Sequence, residues 1–566
     1  MGIYKSAILK TLTVVLVLSV IGFSTVGNSG VSWDELTGIL SVRQNIEVIT
    51  KGKPIEGIFQ YDGTVFNVAA EAVYQARRKL RQILFKADVE ADLTSEQILR
   101  KKFEAKHAFT FFTSLLCYLA VAALVGTICG MQYAWFGALN LAFFPRFWGD
   151  SFFNFKDVPF ATFFTISTLA SAYLVNEYLK NDRVHVGFNR LTGLSVLYGI
   201  LMGILTGVRA GGFVIITYIA IGYVILQLGN SWNTIRHEKR RLIKIFFNFF
   251  SFYILIVIVW FITTTICYPS SWSNPIVWFI GMIKALSSYA WGITGSIFFN
   301  GQYISGLMIP RSYIPVWFTI TTPVIFQVAF FLGLLLLYRR YSNLSNLQKA
   351  TVILTLLQIF LLPSLIIIRR SVIYDGIRHV LFILPGVCVI ASVALIWIYE
   401  LLNKKSLKIF VVMILLGIFV QICWEMVQLH PYEYIYFNSV VGGLRRASTL
   451  YEVEYWGLSM REATEWVNQH GNKPASILIG GPAHSVSVFA DPDIKLFTFE
   501  FRNNNPDRPI PSYLARSLPA DLPKSFYYIA IRSGSDRYDQ ELLSCPLVHA
   551  VKRKDVPLAV VRYCSQ

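Results

Sequence analysis

Three charged clusters in a largely apolar chain have the residue types for chemistry. The first is Asp34-Glu35 in "VSWDELTGIL", just behind a charge-free apolar stretch over 11–26. The second, "PRFWGDSFFNFKD" at 145–157, carries Arg146, Asp150, Asn154, Lys156 and Asp157. The third, "RRSVIYDGIRH" at 369–379, carries Arg369, Arg370, Asp375, Arg378 and His379. A carboxylate accepts a proton from an attacking hydroxyl. Guanidinium groups grip phosphate oxygens bidentately and stabilise a departing phosphate. Together the clusters suit transfer of a group from a lipid phosphate to a hydroxyl. Asp34 is the better base, because it comes first after the apolar stretch. Glu35 beside it would raise its proton affinity by like-charge repulsion or share a cation with it. Two plainer readings stand beside these. The acid pair suits an N-cap and first turn of a following helix, and the arginine loop suits a charge-paired structural turn.

The elements that must position these clusters are membrane spans. The chain of 566 residues is 54% hydrophobic and 15% charged, against about 25% charged for an average soluble protein. Its apolar residues come in blocks, and about 20 of them in a row span a bilayer. Eleven spans are expected, near 6–26, 107–128, 130–144, 158–178, 189–207, 211–229, 246–267, 314–337, 350–368, 380–399 and 408–427, the third being short. The first is read as a retained helix, since no small-x-small cleavage site follows it. With the N-terminus inside, the short inner segments hold fifteen Lys and Arg against eight in the short outer loops. The positive-inside rule therefore sends loop 27–106 and tail 428–566 to the outer face. The net charge of +18 then needs no nucleic acid, since much of it faces anionic lipid.

Within the first loop, Phe66, Ala69, Val73, Ala76, Leu80 and Ile83 repeat at helical spacing, with Arg78, Lys79, Arg81 and Lys86 on the other face. Such a helix suits the membrane interface, or else packing beneath the tail. The tail reads as a small α/β domain. "SMREATEWVNQHG" is a helix, and "ASILIG", "IKLFTF", "FYYIAIR" and "PLAVVRY" are strands. Pro and Asn cluster between them at "NNNPDRPIPS". "IGGPAHS" lacks the lysine of a P-loop. Five cysteines lie in or beside spans, while Cys545 and Cys564 share the outer tail, where a disulfide is chemically open to them. No zinc spacing is present.

The expected architecture is an α-helical polytopic membrane protein with a membrane domain over 1–427 and an extracytoplasmic α/β domain over 428–566. The chain resembles the GT-C membrane glycosyltransferases of the protein O-mannosyltransferase and lipid A aminoarabinose transferase type. The resemblance rests on "SWDE", "PRFWGDSFFNFKDVPFA", "YIPVWFTITTP", "YDGIRHVLFILP" and "YFNSVVGGLRRASTLYEVEYWGLSMREATEWV", which cover nearly the whole chain in order. It implies a GT-C fold in the plasma membrane and a polyprenyl-phosphate-linked sugar donor. It also implies inversion at the anomeric carbon and a lipid, glycan or protein hydroxyl as acceptor. It implies Asp34 as catalytic base, with Asp157 or Asp150 arranging the site. Glu35, Asp150, Lys156, Arg369, Arg370, Arg378 and His379 are the candidate substrate-binding residues. Some relatives use a divalent cation and others do not. If one binds here, Asp34 and Asp157 are its candidate ligands. A transporter or lipid flippase is the competing class, but matched Gly/Pro-broken spans and an internal repeat are lacking. A non-catalytic scaffold is the third.

Overall fold

The computed structural model describes residues 2–86, 90–181, 184–235, 239–287, 296–501, 516–532 and 539–565. "NNNPDRPIPS" lies outside them. The first helices are α1 (Gly2–Thr25), α2 (Glu35–Lys51), α3 (Val65–Phe85), α4 (Ser95–Cys129), α5 (Ala134–Ala142), α6 (Pro145–Asp150), α7 (Asp157–Lys180) and α8 (Arg190–Val208). Then come α9 (Ile215–Ile235), α10 (Lys239–Cys267), α11 (Pro275–Ser287), α12 (Tyr313–Thr321), α13 (Val324–Arg340), α14 (Asn346–Arg369), α15 (Ile383–Leu401) and α16 (Lys405–Leu429). All but α2, α3, α5, α6, α11 and α12 are long and apolar enough to cross a bilayer, ten among the described residues. The chain is a multi-pass membrane protein.

Two expected spans differ. Residues 130–144 do not cross as one helix: α5 has nine residues and rises about 14 Å, half of a core about 30 Å thick, and the chain completes its return from the end of α4 to the start of α7 through α6. The expected span 314–337 is broken between α12 and α13. Pro323 has no N–H to give, and Thr322 before it is extended (ψ 134°). The carbonyls freed by the break are satisfied from the side. Gln327 Nε2 donates to Thr319 and Thr322 (2.8 and 2.7 Å), and Asn438 Nδ2 donates to the same two oxygens (2.7 and 2.6 Å). That is the condition for non-helical backbone at membrane depth.

α3 forms as its spacing predicts, but only Phe66 at the head of the expected stripe is buried, and the stripe faces outward from Val73 on. Val73, Leu80 and Ile83 are exposed, while Phe66, Ala70 and Tyr74 are buried. Phe66 stacks on Phe109 of α4, and Glu71 pairs with Lys102. The helix therefore packs on α4 and keeps an exposed apolar face.

A two-stranded hairpin, β1 (Ser296–Phe299) and β2 (Gln302–Ser305), precedes α12. The tail holds helices α17 (Gly443–Ala447), α18 (Met460–His470) and α19 (His484–Ser487) and strands β3 (Ser476–Gly480), β4 (Lys495–Thr498), β5 (Glu500–Phe501), β6 (Arg516–Ser517), β7 (Ser525–Ile531), β8 (Leu547–Arg553) and β9 (Val556–Ser565). β5 and β6 pair with each other, and the rest form one mixed sheet ordered β4-β3-β7-β9-β8. β3 runs parallel to β4 and β7, and β9 is antiparallel to β7 and β8. Alternation sorts its residues. Ile477 and Ile479 join the core under α18, and Leu478 joins a second cluster with Tyr528 and Val560. β8 was not expected from the sequence. Cys545 and Cys564 are disulfide-bonded.

Glu454 lies buried between α17 and α18. Tyr434 Oη donates to its Oε2 and the Gly457 N–H to its Oε1. Burial pushes its carboxyl up to about 8. The folded state thus keeps a proton that the unfolded chain gives up near the ordinary glutamate value. Stability from this group is full at low pH and is lost as pH rises through about 8. Glu454→Gln should remove that slope. Its melting temperature relative to wild type should climb between pH 5 and 8 and level off above. A difference that stays constant with pH would show that Glu454 is ionised in the fold.

Candidate active site

The three charged clusters meet at one end of the helical bundle. α1, α8, α10, α14 and α16 finish there, and α4, α7, α9, α13 and α15 set out from it, so the opposite helix ends at Lys180, Arg190, Ile235, Lys239, Arg340, Asn346, Leu401 and Lys405 lie at the other end.

The acid pair divides its work. Asp34 holds the N-cap position of α2 without a side-chain cap hydrogen bond. Instead its Oδ2 accepts from Arg378 Nη1 at 3.2 Å, with Lys156 Nζ at 3.9 Å. Glu35 turns the other way. It is fully buried, its Oε2 accepts from the Ser32 N–H at 2.6 Å, and its Oε1 lies 2.6 Å from His107 Nε2. Glu35 therefore ties the start of α2 to the preceding segment and to His107 of α4, and it does not face a substrate. This corrects its expected binding role.

A lattice of alternating charge surrounds Asp34. Arg378 reaches Asp375 at 3.0 Å through its other terminal nitrogen and lies over the rings of Trp456 (4.5 Å) and Tyr374 (4.8 Å). Lys156 also faces Asp62 at 3.8 Å. Arg209, in the two-helix turn after α8, pairs with Asp157 and donates to His379 Nδ1 at 3.3 Å. Asn154 ties the second cluster together, donating to Asp150 (2.9 Å) and Asp157 (3.0 Å) and accepting from the Asp157 N–H (2.9 Å).

Charge sets the protonation states. Burial raises Asp34, but Lys156, Arg378 and Arg209 outweigh it and hold the carboxyl below its ordinary value. Burial pushes Asp150 up to about 6 and raises Asp375 against the pull of Arg378. His379 is kept neutral by burial and by the adjacent charges of Arg378, Arg209 and Lys156. Asp34 is thus an anion that stays ionised at neutral pH, on a side chain 26% exposed, amid three cations. A proton acceptor and three cations stand side by side.

Asp157 and Asp150 are buried behind this front and hold Arg209 and Asn154 in place. Arg369 and Arg370 do not join the cluster. Both are exposed at the end of α14, and Arg370 lines a separate groove. The residues do not fit a divalent cation between Asp34 and Asp157. Each acid already faces its own cation, and among the described residues no three His, Cys, Asp or Glu side chains converge.

The tail domain fixes the segment that carries Asp34. Arg461 Nη1 donates to the carbonyls of Gly27 and Ser29, Ser485 Oγ to Val31, and the Trp33 N–H to Trp456. His484 Nε2 lies 2.9 Å from the Ser32 carbonyl. A Cβ on Gly30 would sit 2.2 Å from the Leu458 oxygen, so this segment can lie this close only without a side chain.

No protein-family profile matches the chain, and no curated protein matches it. Among solved structures it is similar to ArnT from Cupriavidus metallidurans bound to undecaprenyl phosphate, at 13% identity and a TM-score of 0.47 over 97% of each chain. It is also similar to the oligosaccharyltransferase AglB from Archaeoglobus fulgidus in complex with an inhibitory peptide and a dolichol-phosphate. There the identity is 13%, the TM-score 0.47 and the coverage 85% of this chain. This chain spans 63% of the archaeal enzyme's length.

Proposed function

We propose that the protein is a membrane glycosyltransferase of GT-C type that moves a sugar from a polyprenyl-phosphate-linked donor to a hydroxyl acceptor. The supporting observation is Asp34: a partly exposed carboxylate with no capping duty, flanked by Arg378, Lys156 and Arg209. The quoted motifs that resemble the protein O-mannosyltransferase and aminoarabinose transferase type support the same reading. In the reaction the acceptor oxygen bonds to the anomeric carbon as the carbon–phosphate oxygen bond breaks, which inverts the centre. The bonding pair leaves with the polyprenyl phosphate, and the hydroxyl proton goes to Asp34. Its lowered proton affinity keeps it ionised but makes it a weak base, so the proton moves to it only as the new bond forms and the attacking hydroxyl becomes acidic. The cations offset the growing phosphate charge in a partly dry site.

By the charge bias of the loops, the site and tail domain face the extracytoplasmic side of the plasma membrane. The sugar is a hexose or pentose and the acceptor a cell-envelope lipid, glycan or protein hydroxyl. Purified protein in liposomes containing a polyprenyl-phosphate sugar should consume the donor and release polyprenyl phosphate, faster with an acceptor present. Movement of intact donor between leaflets with no cleavage would instead identify a flippase.

A further inference from the structure

The arginine loop splits in two, and the half left outside the active site has surroundings of its own. Arg370 closes α14 in the left-handed conformation (φ 52°, ψ 44°). A glycine would take that position without strain, yet the chain keeps an arginine there. Its side chain lines a shallow groove with Arg311, between Ile309 and Tyr313 on one wall and Ile366 and Ile373 on the other. Both arginines are exposed, and among the described residues neither forms an ion pair. Two side chains next to the lining residues in sequence, Met308 (78% exposed) and Ile368 (69%), are open to the surroundings. Because Arg370 directly follows a bilayer-spanning helix, the two guanidinium groups sit at headgroup depth with an apolar surface beneath them. One hydrogen bond ties a residue of the groove to the active-site loop. Tyr313 Oη accepts from the Gly376 N–H at 3.1 Å, within the loop that carries Asp375 and Arg378.

We propose that this groove is a second lipid-phosphate site that takes the polyprenyl monophosphate released by the reaction. The inference rests on the glycosyltransferase reading for the identity of its occupant. Two guanidinium groups without carboxylate partners favour a dianion. A phosphate monoester carries close to two charges at neutral pH, whereas a sugar-linked phosphodiester carries one. The isoleucine walls take the first part of the isoprenoid chain. The groove thus holds the released carrier before it rejoins the bilayer.

The test is a count of bound lipid. Full-length protein in phosphatidylcholine nanodiscs is titrated with a long-chain polyprenyl monophosphate and examined by native mass spectrometry. Wild type should hold two copies, and Arg311→Gln/Arg370→Gln one, at an unchanged melting temperature. Arg378→Ala should also hold one. Two copies on the folded double variant would overturn the groove site. Loss of the groove-bound copy to an equal amount of phosphatidylglycerol would overturn the assignment to the carrier. The two readings fail separately: if Arg378→Ala still holds two copies, the active-site assignment falls while a loss in the double variant upholds the groove.

Discussion

Asp34→Asn should lower turnover by about 10²–10⁴, the usual contribution of a positioned general base, with expression and melting temperature close to wild type. The structural argument for separating these readouts is local. Asp34 makes no side-chain cap bond, and Glu35 already bonds the Ser32 N–H ahead of α2. An amide oxygen can still accept from Arg378, which also keeps Asp375. What disappears is the proton acceptor and its charge. The pH profile gives a second check. Since Lys156, Arg378 and Arg209 hold the carboxyl below its ordinary value, wild-type kcat/KM should stay flat down through the ordinary aspartate range and fall only below it. An acidic limb near pH 6 would point to Asp150, whose burial puts it at about 6. Near-wild-type turnover of the folded Asp34→Asn protein would remove Asp34 from the chemistry.

The parts of this molecule that were legible in the sequence are those whose signal is local. Ten spans follow from runs of apolar residues, and α18 with β3, β4, β7 and β9 follows from periodicity. The break at Pro323 was visible as a proline. Its tolerance was not, because the donors that satisfy the freed carbonyls are Gln327 and the distant Asn438. β8 is an edge strand whose "LVHAVKR" mixes polar residues on both faces and shifts register against β9, so it lacks the apolar run that marks a buried strand. In the site, Asp34 and Arg378 were each visible as charges beside a span. Their pairing joins residues 344 positions apart, and no spacing rule reaches that far. Arg209 was passed over as one loop charge among eight. The clue was a single arginine in the short "GVRAGG" turn between two spans. Glu35 misled because adjacency in sequence does not make two side chains face one site. At the start of α2 one acid turns back to the preceding backbone and a buried histidine while its neighbour turns out.

Arg378 is where the largest loss of donor binding should be read. It is 7% exposed and bridges Asp34 and Asp375 while stacking on Trp456. Arg378→Lys keeps one charge but cannot reach both carboxylates and lie flat on the indole at once. It should restore only part of the activity that Arg378→Ala abolishes. Loss of a charged hydrogen bond weakens donor affinity by about 1.5–3 kcal/mol, roughly tenfold to a hundredfold or more. Arg378→Ala alone is ambiguous, because it leaves Asp375 buried without its cation and so lowers stability as well. Burial already raises the Asp375 carboxyl, with Arg378 the charge that opposes it. The double variant Arg378→Ala/Asp375→Asn resolves this by removing the stranded acid along with its partner. Its melting temperature should return towards wild type while donor affinity stays weak, since no guanidinium remains to meet the phosphate. If instead donor affinity recovers together with stability in the double variant, Arg378 serves the fold of the 371–379 loop, and the phosphate is held by Lys156 and Arg209 without it.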